Sequence, residues 1–210
     1  MEFNSFLSLI SRLDKVKLGG FSSHEKMIPK ERINFSKQYI DDIKPKKAAV
    51  LALFYPNSNN ETIFLLILRS DYKGTHASQI SFPGGKYEEH DIDLKNTALR
   101  ETYEEVGVHS KNIQLKKQLT DTYIPPSNFL VRPFIGLTLK TPKFNFNHEV
   151  ENLIEVKLSD LLQEGTLTTK NLTTSYMENI DVPCYKLNNY TVWGATAMIL
   201  SEIKDLVKSL

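Results

Sequence analysis

The sequence predicts one α/β domain built on a mixed β-sheet with helices on both faces. Three observations carry this. Residues 48–55 and 62–68 are apolar, β-rich runs separated by the turn cluster PNSNNE. A charged helical stretch ending at Gly107 follows them. Further strand-like runs come after that helix, at 113–122, 129–139 and 150–156, so strands surround it on both sides.

Taken in order, Phe3, Phe6, Leu7, Ile10 and Leu13 recur at helical spacing, and Gly19-Gly20 ends the pattern. Residues 21–46 are polar and lysine-rich and read as a loop with one short helix at most. We therefore expect residues 1–46 to pack on a single domain spanning 47–210. Residues 79–82 form a short third strand that delivers the chain to a turn at Pro83-Gly84-Gly85. Pro125-Pro126 stiffens a loop, and Pro133 marks the strand at 129–139 as an edge or a bulge. Residues 143–148 are a loop. A short helix over 158–162 is started by Ser159 or Asp160. Residues 176–187 are extended and turn-rich, leaving Cys184 as a small packing residue without a helical or strand partner. Trp193-Gly194 opens a final helix whose stripe is Ile199, Ile203, Leu206 and Leu210, with Leu200 and Val207 beside it.

Composition narrows the function. A formal net charge of +1 gives no global field to attract nucleic acid or an anionic membrane. The single cysteine excludes an internal disulfide and suits a reducing interior. The first fifteen residues carry Glu2 and no uninterrupted apolar core, unlike a secretory signal. The longest apolar run, 48–54, is far short of the ~20 residues of a membrane span. A soluble, cytoplasmic protein with a small-molecule partner, and neither nucleic acid nor membrane, is expected. Its oligomeric state is open, a homodimer included.

The chemistry concentrates in FPGGKYEEHDIDLKNTALRETYEEVGV, residues 82–108. Helical neighbours lie three and four apart, so Glu101 sits one turn before Glu104 and Glu105 and three carboxylates aim at one point. Glu104 and Glu105 fall in the last turn, the negative end of the helix dipole, where cations are preferred. Like charges so placed raise one another's pKa unless a cation sits among them. A solvated acidic helix end is the plain alternative. Hard divalent cations choose such oxygen donors, and Mg²⁺ keeps waters and is completed by substrate phosphates. Arg100 reaches Glu104 at i,i+4, and the glycines let a backbone carbonyl approach.

This stretch resembles the signature of the Nudix hydrolases: G, five residues, E, seven residues, R-E-U, one residue, E-E, one residue, G-U, with U aliphatic. Arg100-Glu101, Glu104-Glu105, Gly107 and Val108 match in register. The early Glu position holds Asp91, eight residues rather than seven separate it from Arg100, and Thr102 replaces an aliphatic residue. The first two departures are a habit of the coenzyme A diphosphatase-like subgroup. So are the segment Leu65-Leu66-Ile67-Leu68-Arg69-Ser70, the segment from His76 to Gly85, and Thr97-Ala98-Leu99-Arg100-Glu101. Gly74, with Lys73 beside it, stands where that subgroup has Arg, and Ser78 where it has Gly. The similarity spans most of 47–200.

The resemblance implies a Nudix-type α/β/α sandwich with a catalytic loop-helix-loop. It implies hydrolysis of a diphosphate linkage with Mg²⁺ or Mn²⁺, held by Glu101, Glu104, Glu105 and the Gly85 carbonyl. Arg100 orients a carboxylate, and Arg69, Ser70 and His76 bind substrate. The expected substrate is coenzyme A or an acyl-CoA, split into 3',5'-ADP and 4'-phosphopantetheine. The alternatives are another nucleoside diphosphate derivative such as ADP-ribose, or a non-catalytic ligand-binding module. The base that activates water is one of the three glutamates, Glu149 or Glu151. For the last two, solvated charge before a strand is an equal reading. Tyr123, Phe129 and Trp193 are expected to pack rather than stack on a ligand.

Overall fold

A computed structural model of the protein describes residues 1–30, 37–70, 79–174 and 177–210. Helix α1 (Phe3–Ile10) is followed by α2 (Phe21–His24) and α3 (Lys37–Asp42). Strands β1 (Lys46–Pro56), β2 (Thr62–Arg69), β3 (Ile80–Ser81) and β4 (Gly84–Lys86) lead into helix α4 (Leu94–Val106). Then come β5 (Gln114–Gln118), β6 (Thr122–Ile124), β7 (Phe129–Leu137) and β8 (Val150–Lys157). The chain finishes with α5 (Leu158–Leu162), β9 (Leu167–Thr174), β10 (Met177–Leu187), β11 (Tyr190–Val192) and α6 (Gly194–Lys208).

The main sheet runs β3-β2-β1-β7-β5, with β8 on β2, β4 on β1 and β6 on β7. β1 pairs parallel with β7 from Lys46↔Phe129 to Phe54↔Leu137, and antiparallel with β2 and β4. The sheet is therefore mixed. Its two faces explain why β1 and β2 read as unbroken apolar runs rather than alternating ones. Ala52, Phe54, Phe64 and Leu66 face a core shared with α1, α5 and α6. Ala49, Leu51, Leu53, Ile63, Leu65 and Ile67 face a second core under α4. Residues two apart share a face of a strand, so covering both faces makes the α/β/α sandwich. No helix among the described residues is long and apolar enough to cross a membrane.

Several expectations change. The helical pattern from Phe3 stops at Ile10, and Leu13 lies on a separate 3-10 turn, although Phe3, Phe6, Ile10 and Leu13 are all buried. Residues 21–27 form a short helix and a 3-10 turn, and Lys37–Asp42 a second helix, where a loop with one short helix was expected. The Pro83-Gly84-Gly85 turn is largely a strand, because Gly84 and Gly85 pair with Val50 and Ala49. β7 is central, not an edge. Pro133 falls in the gap between its β6 and β5 partners, and its carbonyl accepts from the Leu119 N–H on that side. The missing proline N–H therefore faces a position where no ladder donor is used. Strands β9, β10 and β11 form a second, three-stranded sheet in the order β11-β10-β9. Cys184 lies in β10 opposite Thr168 and is buried, so it does have a strand partner. Helix α5 begins at Leu158 with Lys157 as its N-cap residue, without a side-chain cap from Ser159 or Asp160.

Candidate active site

Helix α4 is set by its ends. The Asp93 side chain accepts the Asn96 N–H at 2.9 Å, and Gly107 takes the left-handed conformation at φ 78° that closes the C-terminus. Its last carbonyls are covered too: Asn145 N–H donates to Val106 O and Asn147 N–H to Glu105 O, both at 3.1 Å. Ala98, Thr102, Glu105 and Val106 turn inward. Thr102, in place of an aliphatic residue, is tolerated there because its hydroxyl donates to the Ala98 carbonyl at 2.7 Å.

Arg100 organises the acidic face. Its Nη1 donates to Glu101 Oε1 at 2.9 Å and to Glu104 Oε2 at 3.0 Å. The other side of the guanidinium is gripped by Asp91, with Nε on Oδ1 and Nη2 on Oδ2, both at 2.9 Å. Asp91 is buried and also accepts from the Thr97 hydroxyl and the Glu88 N–H. The hydrogen bonds from Arg100, joined by those from the Glu88 N–H and the Thr97 hydroxyl and working against burial, hold the Asp91 carboxyl far below the usual carboxylate range. Asp91 was expected as the subgroup's residue at the early Glu position, with no role assigned to it. Its signal was the position itself, an acid at the early place of the motif.

Glu105 points elsewhere. It is buried, its Oε2 accepts the Gly84 N–H at 2.8 Å, and its Oε1 accepts Arg69 Nη1 at 2.7 Å. Burial pushes its carboxyl up to about 7, the Glu101 charge adding to the rise and Arg69 opposing it. Burial likewise raises Glu101, opposed by Arg100 and assisted by Glu104 and Glu149. Gly85 sits flush against Glu101: a Cβ there would lie 2.4 Å from Glu101 Cδ.

Arg69 bridges from Glu105 to Glu149, the latter at 3.5 Å. Ser70 instead holds the neighbouring loop, its hydroxyl donating to the His148 carbonyl at 2.8 Å and its N–H to the Glu149 carbonyl. Glu151 is exposed on β8. His76, with Lys73, Gly74 and Ser78, lies outside the described residues. Tyr123, Phe129 and Trp193 are half-buried, and Lys46 lies over the Phe129 ring at 5.7 Å.

The donor chemistry fits a hard divalent cation. Carboxylates crowd together, two are raised by burial and mutual repulsion, and Gly85 leaves room for backbone approach. Among the described residues no three acidic, histidine or cysteine side chains already stand as a metal-holding group. Arg100 supplies the positive charge between Glu101 and Glu104, while Glu105 is turned to Arg69 and Gly84.

A mixed-sheet α/β/α sandwich that presents an arginine-organised acidic helix behind a glycine strand is the architecture of a Nudix domain. The NUDIX domain family matches residues 45–174, and the chain belongs to that family. It is 29% identical over 170 residues to Nudix hydrolase 22, chloroplastic, of Arabidopsis thaliana, covering 78% of this chain and 56% of that protein. It is 31% identical over 150 residues to the uncharacterized Nudix hydrolase NudL of Yersinia pestis (strain Pestoides F), covering 70% and 73%. The chain thus spans little more than half of the plant relative. Among solved structures, the M. smegmatis Nudix hydrolase RenU shares the fold, with a TM-score of 0.56 at 13% identity over 88% of this chain and 94% of that one. The MutT/nudix family protein from Enterococcus faecalis does so at 0.53 and 15%, over 95% and 73%.

Proposed function

We propose that this chain hydrolyses the diphosphate linkage of a nucleoside diphosphate derivative, with coenzyme A or an acyl-CoA as substrate and Mg²⁺ or Mn²⁺ as cofactor. The observation that carries the reading is the Asp91–Arg100–Glu101/Glu104 chain of bonds beside Gly85, on the helix that matches the family motif. Names of the relatives as Nudix hydrolases agree with it.

In this reading Glu101, Glu104 and Glu105, with the Gly85 carbonyl, hold the cation. When bound, it neutralises charge developing on the phosphoryl oxygens and makes water more acidic. Arg100 keeps Glu101 and Glu104 in one orientation. Arg69, already paired with a carboxylate, offers guanidinium donors suited to a phosphate. Glu149 is the stronger loop candidate for the general base, because its carboxylate reaches Arg69 and acts on Glu101, whereas Glu151 is turned out on β8. Splitting coenzyme A would release 3',5'-ADP and 4'-phosphopantetheine.

The choice of coenzyme A rests on the segments around Arg69, Phe82 and Arg100. Gly74, standing where the subgroup carries Arg, weakens the coenzyme A match and keeps ADP-ribose as the second reading. Incubating the protein with coenzyme A, an acyl-CoA, ADP-ribose and a nucleoside triphosphate, each with Mg²⁺ or Mn²⁺, and weighing the products separates them. Preference for ADP-ribose overturns the coenzyme A assignment. Glu105→Gln should lower kcat on the order of 10²–10³-fold, the size of losing one electrostatic contributor to a transition state. Unchanged turnover in that variant sinks the metal assignment.

A further inference from the structure

Beyond the carboxylate face, the C-terminal turn of α4 and the loop at 145–147 enclose an open groove of about 370 Å³. That volume lies within the range of small-molecule sites, roughly 300–1,000 Å³. Tyr103 and His109 line it with stacked rings, their centroids 4.2 Å apart and their planes 29° from parallel. Phe146 lines it from the loop. Tyr103 and Phe146 are each 47% exposed, so neither ring is consumed by the core.

The groove is held in shape. The loop that carries Phe146 is pinned on either side by the Asn145 and Asn147 N–H bonds to the last α4 carbonyls. Its close approach needs Gly107, where a Cβ would lie 2.9 Å from the Asn145 carbonyl oxygen. The same two bonds fix the groove relative to the helix that carries Glu101, Glu104 and Glu105.

Its electrostatics select the occupant. Glu104 borders the groove, and the negative end of the α4 dipole points into the same region. Phosphate is repelled there and favoured at Arg69. A neutral planar ring is not repelled, and aromatic faces bind such a ring by stacking. The exposed Asn145 amide carries both donors and an acceptor for the edge of a base.

We propose that this groove is the nucleobase subsite, in which an adenine-type ring lies against Tyr103 and Phe146 with Asn145 reading its edge. The assignment rests on the proposed diphosphate hydrolysis only for the identity of the molecule that brings the base. Glu104, shared between groove and acidic face, joins the two ends of that molecule's site.

The test uses adenosine, which has no phosphate, titrated into the full chain without divalent metal and followed by aromatic NMR. Saturable shifts at Tyr103, His109 and Phe146, with the His109 shift lost in Tyr103→Ala/Phe146→Ala, support the subsite. Shifts confined to other aromatic residues, or none, overturn it. With a working assay, the same double variant should lower kcat/KM for an adenine-bearing diphosphate about tenfold relative to a base-free sugar diphosphate, close to the loss of one stacked base. An equal change for both substrates overturns the assignment. A protein that shows the adenosine shifts but cleaves no diphosphate keeps the base site and loses only the hydrolytic reading.

Discussion

Asp91 grips Arg100 through two parallel bonds of 2.9 Å, and the one Arg100 nitrogen left over joins Glu101 to Glu104. Bidentate pairing fixes the plane of a guanidinium as well as its position. The orientation of both carboxylates on the acidic face therefore depends on an acid in the preceding loop.

Asp91→Ala should destabilise the fold by roughly 3–5 kcal/mol, the cost of removing one partner from a buried charge pair. Chemical denaturation measures it. Asp91→Glu, which restores charge at altered reach, should recover stability but not Mn²⁺ affinity. Equal recovery of both would reduce Asp91 to a purely structural anchor.

Acidification tests the same pair. The Asp91 carboxyl is held below its unfolded value by Arg100, so its contribution is present above about pH 3.8 and lost as pH falls through the folded value. Relative to Asp91→Asn, the native chain should lose stability progressively below pH 4 and keep a constant difference above pH 5. Thermal unfolding between pH 2.5 and 6 gives the comparison, and parallel curves would remove the linkage.

Gly85→Ala should leave the fold standing and weaken metal binding. The added methyl meets Glu101 Cδ at 2.4 Å, the far end of a flexible side chain that can move only by leaving Arg100. Titration with Mn²⁺ followed by electron paramagnetic resonance should show affinity down by about 10–100-fold, as for lost support of a metal ligand. Circular dichroism should be unchanged.

Glu202, fully buried on α6, ties three parts of the chain together. It accepts the Gly20 N–H at 2.9 Å and the Thr120 N–H and hydroxyl at 3.0 and 2.6 Å, and lies 3.4 Å from His24 Nε2. Glu202→Ala strands buried donors, each costing about 1–3 kcal/mol. A loss of at least about 3 kcal/mol in urea unfolding is expected, with proteolysis appearing first near residues 17–27. Uniform proteolysis would assign the loss to α6 instead.

What the sequence disclosed followed local pattern. The runs at β1 and β2 and Gly107 after α4 are written in neighbouring residues, and the structure has them where expected. The second sheet was not legible because β9, LTTKNLTT, lacks apolar alternation and its residues 167–171 are exposed. Gly84 and Gly85 carry no side chain to announce a strand, so the β4 pairing stayed hidden behind a turn signal. In the site, the Arg100–Glu104 contact was legible at i,i+4. The Arg69–Glu105 pair, 36 residues apart, depends on how β2 lies beside α4 and has no local signature.

The parallel ladder between β1 and β7 has a kinetic consequence. Lys46↔Phe129 joins residues some eighty positions apart, and every residue of β4 and α4 lies inside the loop it closes. Closing such a loop costs entropy before any contact rewards it, and non-local parallel pairing slows folding. The acidic helix can coil early, but its partners on β2 and β4 arrive only with the sheet. Refolding should therefore recover helical signal before metal affinity, and a chain caught between the two would carry the acidic helix without the strands that set its carboxylates.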